Sequence, residues 1–191
     1  FPITLTNEQF VVTFVCPEKD SLSTENNNDE VSMKLESLAL FDLSLPRFEL
    51  LGLECQSDFS DMCQQPKSLI LYSTFVQSCS PIRCFEHFSP VPLYKLPQSV
   101  RFDLVKWQET QGACDQIQMN ELSQIEPEVV EQISGIESQL MRQGRDIANK
   151  IKAEQGIPVY LYLYRVGGES LEQEQNRKCP NCAGDWKLDK P

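Results

Sequence analysis

The chain has 191 residues, of which 40% are apolar, and a formal net charge of −11 at pH 7. This size allows one large domain or two small ones with a buried core, while the acidic balance argues against nucleic-acid binding over the whole surface. Eight cysteines are too few for a disulfide-built secreted scaffold, and no apolar run is long enough to span a membrane. We therefore predict a soluble, cytoplasmic protein with reduced thiols.

The first predicted unit covers residues 1–56 and has an α+β pattern. Residues 10–15 are β-branched and aromatic, which is typical of a buried strand. Asn28 or Asp29 is placed to cap a helix whose apolar residues recur at three- and four-residue spacing. Residues 48–53 predict a second strand. The chain opens directly on apolar residues, so we expect the first elements of this unit to precede it.

The second predicted unit covers residues 57–168 and contains a Pro-rich loop and two helices. Residues 67–76 predict a buried strand, and four prolines between positions 81 and 97 exclude a regular helix there. Helical spacing around Trp107 predicts a first helix.

A longer helix and a strand complete this unit. The helix is predicted to run from a capping box at Ser123 to Gly156. Residues 159–164 alternate aliphatic residues with tyrosine, which predicts a strand with one aromatic face. The tyrosine row either packs beneath a helix or presents its rings for stacking on bases.

The clearest chemical motif is Cys179-Pro-Asn-Cys182, which follows a polar linker in the third predicted segment, residues 169–191. Two thiolates at this spacing can point into one tetrahedral zinc site, with a tight turn that Gly184 allows. Two sulfurs are half of a four-ligand site, and a ribbon places its second pair roughly 15 to 20 residues downstream. We expect that the chain stops before that pair or that the other ligands lie elsewhere. A redox dithiol and an accidental pair are the alternatives.

Several short motifs together resemble a known bacterial group. They are Cys79-Ser-Pro-Ile-Arg-Cys84, Pro90-Val-Pro-Leu-Tyr94, Trp107-Gln108, residues 113–119, residues 158–165 and Arg177-Lys-Cys-Pro-Asn-Cys182. From about Val12 to the C-terminus the chain is similar to zinc-ribbon-containing proteins of uncharacterised function. The resemblance implies zinc as the cofactor, a second Cys-x-x-Cys pair after the first, and nucleic-acid contact inferred from the ribbon.

Cys84 and His87 form a second candidate pair in the Pro-rich loop. The resemblance implies a Cys-x-x-Cys at this position, so the one histidine of the sequence stands where a second thiol is expected. Cys and His replace each other as zinc ligands but not as core residues, which favours a metal-binding role. The alternative is a surface or hydrogen-bonded histidine.

The tail differs in charge from the rest of the chain. Residues 176–191 contain four cations and two aspartates, a local net charge of +2 that leaves −13 for the remainder. Contact with phosphate is therefore predicted only here. The ring of Trp186 either stacks on a base or packs against the Cys179-Pro-Asn-Cys182 motif. The predicted nucleic-acid-binding residues are Arg177, Lys178, Trp186, Lys187 and Lys190.

The predicted fold class is α+β, with small α/β sandwich units, ferredoxin-like in part, followed by a C-terminal zinc-ribbon knuckle. None of the common cofactor or catalytic motifs is present, so catalysis is not expected. The leading hypothesis is a zinc protein that contacts nucleic acid, or a partner that handles nucleic acid, through the ribbon. The alternative is a thiol-based redox protein or a cysteine-dependent enzyme using the Cys-x-x-Cys pair or Cys84 with His87.

Overall fold

The computed structural model describes residues 3–52, 59–121, 124–165, 167 and 169–185. The chain forms two compact units, Phe1–Ser60 and Asp61–Pro191. The architecture is mixed α+β, as predicted, with a two-stranded sheet in the first unit and a three-stranded sheet in the second. No helix in the described ranges has both the length and the apolar character needed to cross a lipid bilayer.

A β-hairpin opens the first unit. Strands β1 (Ile3–Thr6) and β2 (Gln9–Val12) pair in antiparallel register. The two turn residues, Asn7 and Glu8, have φ of 48° and 62°, and a two-residue hairpin of type I′ requires positive φ at both. Only residues 10–12 of the predicted strand at 10–15 belong to a strand. All residues of the hairpin strands are exposed rather than buried.

One α-helix follows the acidic loop of this unit. Helix α1 (Asp29–Ser37) begins after Asn28, whose Oδ1 accepts a hydrogen bond from the Val31 N–H at 2.8 Å. The predicted Asn28 cap is thereby confirmed. A 3₁₀ turn at Leu38–Phe41 continues the helix. The predicted second strand does not form over residues 48–52, and position 53 lies outside the described residues.

The second unit is built on a mixed sheet. Its central strand β3 (Leu69–Leu71) pairs antiparallel with β4 (Ile82–Cys84) and parallel with β5 (Val159–Leu161). The register aligns alternate residues of the three strands, so that their side chains share one face, which packs into the core. The residues on this face are Leu69, Leu71, Ile82, Cys84, Val159 and Leu161.

The predicted tyrosine row packs against other aromatic rings. The ring of Tyr72 lies 5.0 Å from the rings of Phe88 and Tyr162, and Phe85 lies 5.3 Å from Tyr160. Tyr160 and Tyr162 nevertheless stay 47% and 38% exposed. These rings therefore form a half-exposed aromatic layer rather than a fully covered one.

Three helices cover the core. Helix α2 (Gln98–Met119) buries residues at the predicted helical spacing, including Leu104, Trp107 and Cys114. The predicted long helix is instead two helices, α3 (Glu126–Ser134) and α4 (Gln139–Gln155).

A helix cap explains this division. Ser138 Oγ accepts a hydrogen bond from the Met141 N–H at 3.1 Å, so it begins a new helix after the extended residue Gly135. Gly156, with φ of 73°, ends α4 as predicted. The predicted capping residue Ser123 lies outside the described residues.

Helices α2 and α4 meet the sheet at a close-packed junction. The indole N–H of Trp107 donates to the Leu140 carbonyl oxygen at 3.1 Å. A Cβ atom added at Gly144 would lie 2.9 Å from Leu161 Cδ2 and 3.1 Å from Trp107 Nε1. Glycine at position 144 thus allows α4 to approach both α2 and β5.

The predicted polar linker contains a short helix, α5 (Leu171–Asn176). Ser170 and Gln173 form a reciprocal capping box at its start. Arg165 pairs with Glu169 at 3.0 Å and also with Glu174, which ties α5 to the chain that follows β5. The helix buries none of its residues.

The order of elements in the second unit differs from the predicted ferredoxin-like arrangement. Two strands are followed by three helices and one strand, whereas a ferredoxin-like fold alternates as β-α-β-β-α-β. The apolar patterns identified most of these elements but not how they connect.

Candidate metal centres

Three potential metal ligands meet in the second unit. Asp61, Cys84 and His87 each offer one donor atom, and these atoms all lie within 4.8 Å of one another. His87 Nδ1 lies 3.6 Å from Cys84 Sγ and 3.3 Å from Asp61 Oδ1. We call these three residues the Asp61 cluster; it is the one such group of three among the described residues.

The backbone places the Asp61 carboxylate. The Asp61 N–H donates to the Pro90 carbonyl oxygen at 2.8 Å, which ties this residue to the chain after the turn that contains His87. Asp61 Oδ1 accepts a hydrogen bond from the Cys63 N–H at 2.7 Å. The residue is only 4% exposed, so its carboxylate is held in a buried position.

A tight turn brings His87 back over Cys84. Cys84 ends β4, where its N–H donates to the Ser89 carbonyl oxygen at 2.9 Å and its own carbonyl oxygen accepts from the Phe88 N–H at 2.8 Å. Phe88 has φ of 58°, which lets the chain reverse at this point. The turn thereby places the side chains of Cys84 and His87 on the same side of the chain.

Arg83 holds this turn from the other face of the strand. Its side chain is 1% exposed and its Nη1 donates to the Phe88 carbonyl oxygen at 2.8 Å. The guanidinium lies over the rings of Tyr72 and Phe88, 5.7 and 5.2 Å from their centroids. Its Nη2 is 3.1 Å from Cys79 Sγ. Arg83 therefore fixes the carbonyl group of Phe88, the residue that follows His87 in this turn.

The electrostatics of the cluster keep the Cys84 thiol protonated when no cation is bound. Burial, together with hydrogen bonds to the carboxylates of Asp61 and Glu86, raises the pKa of this thiol to about 12. Burial alone would also raise the pKa of Asp61, but hydrogen bonds from Cys84, the Cys63 N–H and His87 outweigh it and lower that pKa. A neutral thiol beside an ionised carboxylate is the result.

This arrangement does not match a Cys-His-Asp catalytic triad. In a triad the nucleophile and the carboxylate contact different nitrogens of the histidine ring, so that the ring relays a proton. Here Cys84 and Asp61 both approach Nδ1. A buried thiol with a raised pKa is also a poor nucleophile. The donor set suits a metal ion better than a nucleophilic reaction.

The Cys179 motif forms a hydrogen-bonded turn, which we call the knuckle (residues 178–185). The Cys179 N–H donates to the Gly184 carbonyl oxygen, and the Ala183 N–H donates to the Cys179 carbonyl oxygen, both at 2.8 Å. The positive φ of the turn, 55°, occurs at Ala183 and not at Gly184. A Cβ at Gly184 would lie 3.4 Å from Cys182 Sγ, at the edge of ordinary van der Waals contact.

Backbone amides favour the thiolate form of Cys179. Hydrogen bonds from the backbone of Cys182 and Asn181, followed by one from the Cys182 thiol, lower its pKa. A thiolate is the form that binds metal and also the form that reacts with electrophiles and disulfides.

The predicted site residues have different outcomes. Cys84 and His87 come together, whereas Cys179 and Cys182 belong to no group of three potential ligands in the part of the chain described. Lys178 pairs with Asp185 across the knuckle, and Arg177 is half-buried. The remaining predicted nucleic-acid-binding residues, Trp186, Lys187 and Lys190, lie outside the described residues.

Asp61 is the site residue that sequence reasoning missed. It lies near the start of the second predicted unit, 26 residues before His87. An aspartate two residues before a cysteine is not a recognised ligand motif, so the sequence offered no local signal for it.

The two pKa shifts predict an order of thiol reactivity. In the metal-free protein at neutral pH, iodoacetamide is expected to modify Cys179 well before Cys84, because only the thiolate reacts. Mass spectrometry of peptides after timed quenching measures both rates, and the same reaction in denaturant is the control in which the two rates should converge. Equal rates in the folded protein would contradict the described environment of Cys84.

Comparison with known proteins places the second unit in a family. A family model described as a domain of unknown function, DUF2310, matches residues 63–164, a range that includes Cys84 and His87. Two further domains of unknown function match residues 1–52 and 168–191.

Relatives of the chain occur in Haemophilus influenzae. One uncharacterized protein is 43% identical over 182 residues, covering 94% of this chain and 69% of the relative. A second is 46% identical over 144 residues, covering 74% of this chain and 70% of that relative. No solved structure matches the chain.

Proposed function

Because the chain belongs to the DUF2310 family, a bacterial family of uncharacterised function, we propose that it is a non-catalytic, cytoplasmic zinc protein whose knuckle contacts nucleic acid. The observation that supports the knuckle as a metal site is its hydrogen-bonded turn, in which the Cys179 N–H donates to the Gly184 carbonyl oxygen and the Ala183 N–H donates to the Cys179 carbonyl oxygen. Backbone N–H groups aimed at a sulfur stabilise the thiolate, which is the form that zinc requires.

The knuckle alone supplies two ligands, and a closed structural zinc site needs four. No third His, Cys, Asp or Glu closes on Cys179 and Cys182 within the described ranges. We therefore expect weak, exchangeable zinc at the knuckle of this 191-residue chain, and tight zinc only where further ligands complete the site.

The nucleic-acid part of the proposal depends on the charge of the tail. Residues 176–191 have a net charge of +2 within a chain of −11, so electrostatic attraction to phosphate is confined to them. The ion pair between Lys178 and Asp185 engages one of the four cations. Binding should therefore be weak, and its salt dependence shallow, because at most four phosphates are neutralised.

Charge replacement tests this contact. Four substitutions to glutamine, at Arg177, Lys178, Lys187 and Lys190, are expected to abolish binding of the zinc-loaded protein to single-stranded or double-stranded DNA or RNA at low salt. Fluorescence anisotropy measures the affinity.

The matched control removes the same number of charges from the helical part of the second unit. It replaces one arginine and three lysines that are exposed on α2 and α4, and it should leave binding nearly unchanged; these residues are Lys106, Arg142, Lys150 and Lys152. No binding to any nucleic acid, or an equal loss in both variants, would remove the nucleic-acid role and leave contact with a protein partner.

A thiol-based redox function is the second candidate. The lowered pKa of Cys179 and its contact with the Cys182 thiol also suit a dithiol that cycles with a disulfide. Elemental analysis with thiol titration separates the two: a redox pair is metal-free and is oxidised and reduced reversibly, whereas a zinc knuckle is protected from alkylation by added zinc.

A further inference from the structure

We propose that Asp61, Cys84 and His87 bind a zinc ion, forming a second metal site that is independent of the knuckle. The site has one carboxylate, one thiolate and one imidazole ligand. It extends the Cys84 and His87 pair by a residue that lies far away in the sequence.

Two of the three separations between the donor atoms are those of a tetrahedral zinc site. Zinc bonds of about 2.3 Å to sulfur and about 2.0 to 2.1 Å to nitrogen and oxygen, at tetrahedral angles, place sulfur about 3.6 Å from nitrogen and nitrogen about 3.3 to 3.4 Å from oxygen. Cys84 Sγ lies 3.6 Å from His87 Nδ1, and Asp61 Oδ1 lies 3.3 Å from the same nitrogen. The third pair, Cys84 Sγ and the Asp61 carboxylate oxygen, lies within 4.8 Å, so an ion can bind all three atoms after small side-chain movements.

The hydrogen bonds between His87 and Asp61 are long. N–H···O hydrogen bonds in proteins span about 2.7 to 3.2 Å, and His87 Nδ1 lies 3.3 and 3.4 Å from the two carboxylate oxygens of Asp61. The Cys84 thiol donates its own proton to Glu86 Oε2 at 3.1 Å, so its approach to His87 Nδ1 does not depend on that proton. A cation shared by all three donors satisfies them together.

The donor types select zinc. Magnesium and calcium prefer oxygen ligands alone, whereas a mixed set of sulfur, nitrogen and oxygen suits zinc. Asp61 and Cys84 are buried, while the side chain of His87 is 58% exposed, so the ion can enter from the histidine side. The fourth position is left to a water molecule on that side. Binding forms a Zn–S bond and releases the thiol proton of Cys84 to the solvent.

The test uses the full chain with Cys179→Ser and Cys182→Ser, which removes the knuckle thiols and separates this proposal from the proposed function. Titration with Co²⁺ as a spectroscopic probe, then competition with Zn²⁺, is expected to show one ion per chain. The cobalt spectrum should contain the d–d bands of a tetrahedral ion and a charge-transfer band from one thiolate.

Ligand substitutions in this background should remove the site. Cys84→Ser is expected to abolish the charge-transfer band and to weaken zinc binding by about 100-fold or more, and Asp61→Asn and His87→Gln should weaken it by at least about tenfold. Asp61→Asn keeps the shape of the side chain, and circular dichroism verifies that each variant is folded.

Cys63→Ser is the matched control, because Cys63 contacts Asp61 through its backbone N–H and not through its thiol. This variant should keep the stoichiometry, the cobalt spectrum and the rise in melting temperature on zinc addition. The proposal is overturned if the parent takes up no metal, if the three ligand substitutions leave binding unchanged, or if Cys63→Ser weakens it equally.

Discussion

Replacing Trp107 by alanine is expected to lower the free energy of unfolding by about 3 to 5 kcal/mol, the usual cost of removing a large buried aromatic side chain. Trp107 is 2% exposed at the centre of α2, and its indole N–H donates to the Leu140 carbonyl oxygen on α4. The substitution therefore leaves a cavity between two helices and also removes the hydrogen bond that joins them. Urea denaturation followed by circular dichroism measures the loss.

Phe102→Ala is the control for this prediction. Phe102 lies on the same helix but is 70% exposed, so its removal should change the free energy of unfolding by no more than about 0.5 kcal/mol. Equal losses for the two variants would mean that α2 is not packed through its Trp107 face.

Gly144→Val is expected to destabilise the second unit by about 2 to 3 kcal/mol, although valine forms helices better than glycine. An added Cβ would lie within 3.2 Å of the side chains of Leu71, Trp107 and Leu161. The branched side chain must therefore push α4 away from the sheet. Thermal and urea denaturation both measure the effect.

A second helical glycine provides the matched control with the opposite sign. A Cβ at Gly112 would meet Phe75 Cα at 3.7 Å, which is an ordinary contact. Gly112→Ala should therefore stabilise α2 by about 0.5 to 1 kcal/mol through helix propensity alone. Destabilisation by Gly112→Ala, or no loss from Gly144→Val, would contradict the described packing of these helices.

The helices of the second unit could be predicted because helical signals are local. The spacing of buried residues on α2 and the stop at Gly156 are both properties of neighbouring residues. The break between α3 and α4 was missed because the apolar spacing continues across it. Two residues could have indicated the break: glycine, as at position 135, commonly ends a helix, and serine, as at position 138, commonly caps the start of one.

Strands were predicted less well because a strand also needs a partner. Residues 48–52 have the composition of a strand, yet no neighbouring segment pairs with them in the described part of the chain. In the second sheet, β4 lies in the segment predicted as a Pro-rich loop, and β3 and β5 have only three residues each, fewer than the predicted strands at 67–76 and 159–164. Composition cannot supply that information.

The candidate site shows the same division between local and distant signals. Cys84 and His87 are three residues apart, so their pairing could be inferred from spacing alone. Asp61 joins them only through tertiary structure, by its backbone hydrogen bond to Pro90. A carboxylate ligand supplied from another segment is invisible to motif reasoning.

The parallel pairing of β3 with β5 also affects how the protein is made. Leu69 pairs with Val159, so the two strands are separated by about ninety residues that include three helices. A ribosome releases β3 and β4 long before β5, and the edge of β3 stays unpaired during that interval. Nascent chains that have not yet reached Pro158 are therefore expected to be the ones most exposed to edge-to-edge aggregation, and we expect closing of this sheet to be a late step of folding.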